Sequence, residues 1–449
     1  MSPFNHKPEY GDDYTGIPTQ EMAPQTEKAH KSANPARFFY PAKLRQLPRL
    51  HLRRHTSRAT VEAFIFLAVL VVFFGYLTRG FIPDTELPEG VSPTLAGLQN
   101  MLNTLMHTSY DLLITVVFFI MGITVLMGAL SKLCTEFGVV NILEKMLRPL
   151  MKPLFNLPGI AALGAVVTFL SDNPAIIALS EDKRFASYFK TYQMVSLTNF
   201  GTAFGMGLVV VAFMIGQGYF TAPIVGLFGA CVGCLISTRL MQKFTLKAYP
   251  EYDCEISKMR NLEEKTEKVV VSEDRQESIF MRFLNAILDG GKTGVGLGMA
   301  IIPGVLIIST VVMVLTFDTP ASELDGSAYQ GVGLLPWLAD KIGFVFEWMW
   351  GFTNTQLIAF PITALGAVGA AIGLVPEFKA QSILDANAVA VFTAIGMCWS
   401  GYLSTHAAML DSMGFRKLIS KAIKAHTIAG ICAGITAHWA WVLVEKLFF

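Results

Sequence analysis

Long apolar stretches separated by short polar breaks dominate the chain from residue 61 onward. Runs of about 20 residues with few charges occur at 61–79, 111–130, 191–215, 222–240, about 294–316, 386–410 and 426–444. A hydrocarbon core roughly 30 Å thick asks for that length of apolar helix, so each run is predicted to span a membrane. Two further apolar stretches, 159–179 and about 354–375, are interrupted. Ser171-Asp172-Asn173-Pro174 breaks the first; Thr353-Asn354-Thr355-Gln356 opens the second and Pro361 breaks it. Irregular backbone at membrane depth is tolerated where it is buried in protein or lines a cavity. Both stretches are therefore predicted to be re-entrant hairpins, giving an all-α polytopic membrane protein of about seven spans plus two hairpins.

Charge fixes the expected orientation. Arg37, Lys43, Arg45, Arg49, Arg53, Arg54 and Arg58 precede the first span without an acid among them. By the positive-inside rule the N-terminus is cytoplasmic, residues 1–60 forming a disordered then basic tail, with no cleavable signal peptide expected. Lys132, Lys145, Arg148 and Lys152 follow the second span, and Arg416, Lys417, Lys421 and Lys424 follow the sixth. The stretches 81–107 and 317–336 carry mainly acids and are expected as outside loops. Lys183, Arg184 and Lys190 stay inside only if 159–179 turns back, which is the reason for choosing a hairpin there. The C-terminus is then outside, and the expected location is the plasma (inner) membrane.

Composition agrees. The chain has 449 residues, 53% hydrophobic and only 15% charged, against about 25% charged in soluble domains. A net charge of +1 gives no reason to expect nucleic acid. The six cysteines lie mostly in apolar segments, and Cys231-x-x-Cys234 reads as small residues at a helix interface.

The two halves are related. Ile160-Ala161-Ala162-Leu163-Gly164-Ala165-Val166 recurs as Ile362-Thr363-Ala364-Leu365-Gly366-Ala367-Val368, each inside a hairpin and each followed by two spans. The charge-derived topology brings the second copy in from the opposite side. Inverted repeats with broken segments near the midplane are the architecture of secondary transporters.

Asp289-Gly290-Gly291-Lys292-Thr293-Gly294, continuing to Pro303-Gly304, resembles the opening helix of the Gate, or nucleoside recognition, domain. Leu147-Arg148-Pro149-Leu150-Met151-Lys152-Pro153 is similar to the segment before the hairpin in its spore-maturation-protein-like branch. Ser196-Leu197-Thr198-Asn199-Phe200-Gly201 resembles the polar helix break of concentrative nucleoside transporters. The resemblance covers roughly 108–445 as two modules, 108–241 and 283–445 inverted, joined by a charged cytoplasmic loop, 242–282. It implies two hairpins whose tips meet at a central site, a fold shared with iron permeases. The Gly-Gln-Thr-Glu hairpin signature of the nucleoside carriers has no clear copy here, and no Walker-type loop marks a GTPase domain.

Candidate chemistry is sparse. Asp172 and Asn173, with Ser171, could bind a proton, a sodium ion or a solute if the tip reaches bilayer depth, where a carboxylate is costly; the same residues make an ordinary interfacial turn. Thr198 and Asn199 sit in the third span beside Gly201, Gly205 and Gly207, which weaken the helix. Asn354 and Gln356 are the mirror-image tip, or a solvated turn. Asn387, Trp399 and Ser400 occupy matching positions in the sixth span. His406 with Asp411 suits proton coupling or an ordinary helix end, and His438 with Cys432 is too small a set for a metal site. No catalytic triad, zinc motif or cofactor motif is present, so no enzyme activity and no cofactor are expected. The expected function is a secondary-type transporter of a small polar solute, nucleoside-like by resemblance, with a coupled proton or sodium ion and a homo-oligomeric state. The alternatives are a metal-ion permease and a membrane scaffold or assembly factor.

Overall fold

The computed structural model describes residues 57–171, 174–181, 183–256 and 278–448. Helix α1, Ser57–Gly80, runs across the boundary between two compact units, Met1–Val71 and Val72–Phe449. Of the first unit, only the start of this helix is described, and Phe64, Ile65, Phe66 and Leu67 there are exposed. Everything that follows belongs to the second unit.

Its helices are α2 (Pro93–Asp111), α3 (Phe118–Glu136), α4 (Val139–Leu150), α5 (Ala161–Leu170), α6 (Pro174–Glu181), α7 (Lys183–Ser187), α8 (Thr191–Thr202), α9 (Gly207–Gly216) and α10 (Thr221–Ala248). Then come α11 (Ile279–Ala300), α12 (Thr310–Thr316), α13 (Leu334–Asp340), α14 (Gly343–Trp350), α15 (Ala359–Gly366) and α16 (Val368–Ile372). The chain closes with α17 (Val375–Ala380), α18 (Ala386–Cys398), α19 (Tyr402–Ser412) and α20 (Ile419–Phe448). No strand forms among the described residues, only the isolated bridges Lys190–Glu255 and Asp318–Val332. Seven described helices or helix pairs are long and apolar enough to cross a membrane. Two shorter apolar helices, Ala161–Leu170 and Thr355–Gly366, stand where the interrupted stretches were expected. The chain is an all-α polytopic membrane protein.

Several boundaries differ from expectation, and two of them matter for the packing. Residues 81–107 are not all loop, because helix begins at Pro93. The Ser92 side chain accepts from Leu95 N and proline takes a first-turn position, where its missing N–H is harmless. A π-turn segment, Leu112–Val117, then fuses α2 to α3 into one 44-residue helix. The fifth span likewise starts at Ile279, capped by Ser278, and runs through a π segment at Gly304–Ser309 to Thr316. The polar loop expected up to 282 thus gives way to helix four residues earlier.

These two long helices cross on glycine. A Cβ on Gly290 would lie 2.4 Å from the Gly128 carbonyl, and one on Gly294 only 2.2 Å from the Thr124 carbonyl. Thr124 uses the closeness to donate to Gly294 O at 2.8 Å. Without a hydrophobic driving force between helices in lipid, small residues that let backbones meet supply the packing.

One order of elements occurs twice: an anchoring segment, a short broken pair, a broken span and a long helix. The first copy runs through Met151–Phe155, α5–α6, α8–α9 and α10; the second through α14, α15–α16, α18–α19 and α20. Each anchoring segment ends on a residue in the left-handed region, Asn156 at φ 55° and Gly351 at φ 67°. The carbonyl of each accepts from an amide at the start of the broken span, Gln193 Nε2 at 2.7 Å and Asn387 Nδ2 at 3.3 Å. The long helix adds a second tie in each copy. Gln242 donates to Phe155 O, and His438 Nδ1 lies 2.8 Å from Asn387 Oδ1.

Candidate functional site

The broken helices decide where the site can be. Between α8 and α9 the chain turns through Ala203–Met206, and Met206 has φ 55°. Between α18 and α19 it turns at Trp399–Gly401, with Gly401 at φ 65°. The left-handed region suits glycine because it has no Cβ. Between α15 and α16 the break is at Ala367, whose extended backbone kinks the pair. Gly401 also packs against this last break, where a Cβ would sit 3.3 Å from Gly366 O.

All three breaks line one cavity of about 440 Å³. Met206 contributes from the first, Gly366 and Ala367 from the second, Ser400 and Gly401 from the third, and Gly304 from the π segment of the fifth span. Its polar side chains are Ser400, Ser404 and Thr405; the remaining wall is glycine and apolar. Ser404 and Ala408 are exposed, so the cavity opens along α19. A mostly apolar hollow with a few placed polar groups is the usual form of a small-molecule site. A second hollow, about 240 Å³, lies beside the end of α5 and includes Ser131, Lys132, Ser171 and Thr293.

A buried polar chain holds the break in the sixth span. Asn199 Nδ2 donates to Ser237 Oγ at 2.9 Å and to the Ala422 carbonyl at 3.1 Å. Ser237 Oγ is 2.7 Å from His426 Nδ1, and His426 Nε2 is hydrogen-bonded to the Cys398 carbonyl, the last residue of α18. The Trp399 indole donates back to His426 O at 3.3 Å. His426 thereby clamps the broken end of α18 from two sides. This assignment makes Nε2 the protonated nitrogen and Nδ1 the acceptor, as the partners require. Asn199, Ser237 and His426 are all fully buried, where satisfied polar networks specify one packing.

The sequence candidates fall into different places. Asn199 and Trp399 are joined through His426, and Ser400 lines the cavity. Thr198 is buried and bonded to Val195 O on its own helix. Ser171 donates to Val167 O at the end of α5. Asn354 accepts from Gln356 N, capping the turn that opens the second short pair, while Gln356 Oε1 is buried without a partner. Asn387 serves the Trp350–Gly351 anchor, away from the cavity wall. Asp172 and Asn173 lie outside the described residues. Among the described residues no group of three His, Cys, Asp or Glu could hold a metal ion.

Sequence reasoning passed over His426, Ser237 and the two cavity methionines. His426 follows Lys421 and Lys424 at the start of the seventh span. The available signal was its position among Ala422, Ala425, Ala429, Gly430 and Ala433, a buried small-residue face that packs on α10 and α18.

Comparison with known proteins gives matches to parts of the chain. An uncharacterised protein of Alkalihalophilus pseudofirmus is 34% identical over 98 residues, covering 21% of each chain. The alignment thus spans about a fifth of that relative's length. No solved structure matches this chain. Residues 113–218 match the model of the Gate family, described as nucleoside recognition. That stretch holds α3 to α9, so this part of an all-α polytopic membrane protein is similar to the Gate family.

Proposed function

We propose that this chain is a secondary-type transporter of a small polar solute of the nucleoside class, bound in the cavity between the three helix breaks. One observation carries the reading: both broken spans and the second broken short helix pair contribute to one hollow of about 440 Å³. That lies within the usual range for small-ligand sites, about 300–1,000 Å³. A planar base would lie on the apolar wall of Met206, Val368 and Met409, and a ribose would meet Ser400, Ser404 and Thr405. The repeated element order supports two inverted modules, about 108–241 and 283–445, whose rocking alternates access.

The hollow itself favours transport over a scaffold, since a scaffold needs no open centre. Two methionine sulfurs and no ligating cluster among the described residues give a metal ion little to bind. Thermal-shift measurements of purified protein against nucleosides, amino acids, dipeptides and divalent metals test the solute class, because a ligand that binds only the folded state raises the melting point. A shift with nucleosides alone supports the proposal. A shift with divalent metals alone moves the assignment to a metal-ion permease.

A further inference from the structure

The seam between α19 and α20 holds a histidine with nothing to bond. His406 lies on α19, one turn past the break, at 0% exposure, and neither ring nitrogen has a hydrogen-bond partner. A neutral imidazole carries one donor and one acceptor, and at membrane depth there is no water to replace a missing partner. Buried polar atoms are paired in the great majority of cases, so an unpaired ring asks for a reason.

The neighbouring histidine shows the contrast. The His426 ring lies 4.7 Å from that of His406, edge to face, and Tyr402 stacks on His426 at 5.3 Å. His426 spends both nitrogens, one on the Cys398 carbonyl and one on the Ser237 hydroxyl. A proton could join it only if Ser237 turned away. His406 keeps both positions open.

Among the described residues nothing nearby would balance a charge on His406. Its own helix carries Tyr402, at 6.0 Å in ring contact, and Asp411, which pairs with Arg416 at 3.8 Å. The packed face of α20 brings His426, with Lys421 and Lys424 toward its start and His438 further on; α8 brings Tyr192 and α18 brings Cys398. Arg416 and Lys417 lie in the following turn, α15 has no titratable side chain, and α6 ends on Glu181. Among the described residues no carboxylate contacts the ring, and an unpaired buried charge is strongly unfavourable. His406 is therefore neutral in this conformation.

We propose that His406 is a proton site coupled to solute binding in the adjacent cavity. It is neutral while the α19–α20 seam is closed, as here, and takes a proton from water when the seam opens. The proton leaves to water on the opposite side of the membrane together with the solute, and the seam then closes on a neutral ring, with no other bond made or broken. Coupling follows from the helix: Ser404, Thr405, Ala408 and Met409, which line the cavity, ride on the same α19 as His406. Any motion of α19 changes both places. This inference rests on the transport reading.

The test uses proteoliposomes of the full chain and labelled uridine and adenosine, with about pH 6 outside and pH 7.5 inside, spanning the ordinary imidazole range. Wild type should accumulate solute about tenfold per pH unit if one proton accompanies each solute. His406→Phe and His406→Gln should lose that stimulation while keeping solute exchange without a gradient. Phe removes both unpaired nitrogens at similar shape, so this variant should melt no lower than wild type. Gradient stimulation that survives in both variants overturns the proposal. So does gradient-insensitive uptake in wild type, which leaves the transport reading standing. No movement of either solute under any gradient overturns the transport reading and this inference together.

Discussion

Asn199 and His426 lie 3.5 Å apart, amide nitrogen to ring nitrogen, and share the Ser237 hydroxyl between them. Three helices, α8, α10 and α20, meet at this point and so hold the carbonyl that α18 leaves free at its broken end. Removing the middle of a buried chain leaves both outer groups unsatisfied. Ser237→Ala should therefore destabilise the protein by about 1–3 kcal/mol. In a double-mutant cycle with Asn199→Ala the losses should not add, since the two act through one ring. Unfolding in detergent with increasing denaturant measures both. Additive losses would show that the chain does not act as a unit.

Gly401 has φ 65° and faces the Gly366 carbonyl. A methyl group there must sit in the left-handed region and displace the tip of the second break. Gly401→Ala should lower stability by about 1–2 kcal/mol and cut uptake more than its stability loss explains. Melting points beside initial uptake rates separate the two effects. Equal uptake per folded molecule would rule out a role for this tip in the site.

Gly294 and Gly296 are two residues apart on α11 and should behave oppositely. A Cβ at Gly294 would be 2.2 Å from the Thr124 carbonyl, whereas Gly296 has nothing within 4 Å. Gly294→Val should abolish accumulation of folded protein in the membrane, and Gly296→Ala should be tolerated or slightly stabilising through helix propensity. Size-exclusion profiles of the two detergent-solubilised variants decide the matter.

Tyr329 donates its phenol proton to Asp111, and burial together with that carboxylate pushes its pKa above the usual tyrosine value. The neutral phenol is favoured in the folded state. Its contribution to stability is complete below about pH 10, the unfolded value, and is lost only as pH rises through the folded value. Ultraviolet titration through about pH 10–11 should therefore give the same curve for wild type and Tyr329→Phe. A wild-type excess of one ionising tyrosine there would contradict the buried pairing.

The membrane spans were readable because a run of about 20 apolar residues has few other uses. The start of α2 was hidden because the acids Asp84, Glu86 and Glu89 marked all of 81–107 as an outside loop, a stretch that also holds Asn100, Asn103 and His107. Asn100 Nδ2 in fact donates to Leu324 O, and His107 Nδ1 lies 3.0 Å from Gly326 O, so these groups tie the helix to the chain between α12 and α13. Hydropathy cannot distinguish a polar residue facing water from one paired across an interface. The break in the third span was foreshadowed by its glycines. That in the sixth was signalled only by the position of Trp399 and Ser400. The partner that holds it, His426, is remote in sequence from both Asn199 and Ser237, and single-chain patterning has no means of joining them. Asn354 caps a turn and Asn387 ties an anchor, since an amide satisfies a carbonyl or an N–H as readily as a solute.

Uptake of labelled uridine into proteoliposomes, compared between wild type and Ala408→Trp, tests the solute cavity most directly. Ala408 is exposed at the mouth of the hollow, so the indole fills it without disturbing the core. Saturable uptake by wild type, and its loss in an Ala408→Trp protein that melts normally, is the expected result. Unchanged uptake with the hollow filled would mean that solute does not pass between the three helix breaks.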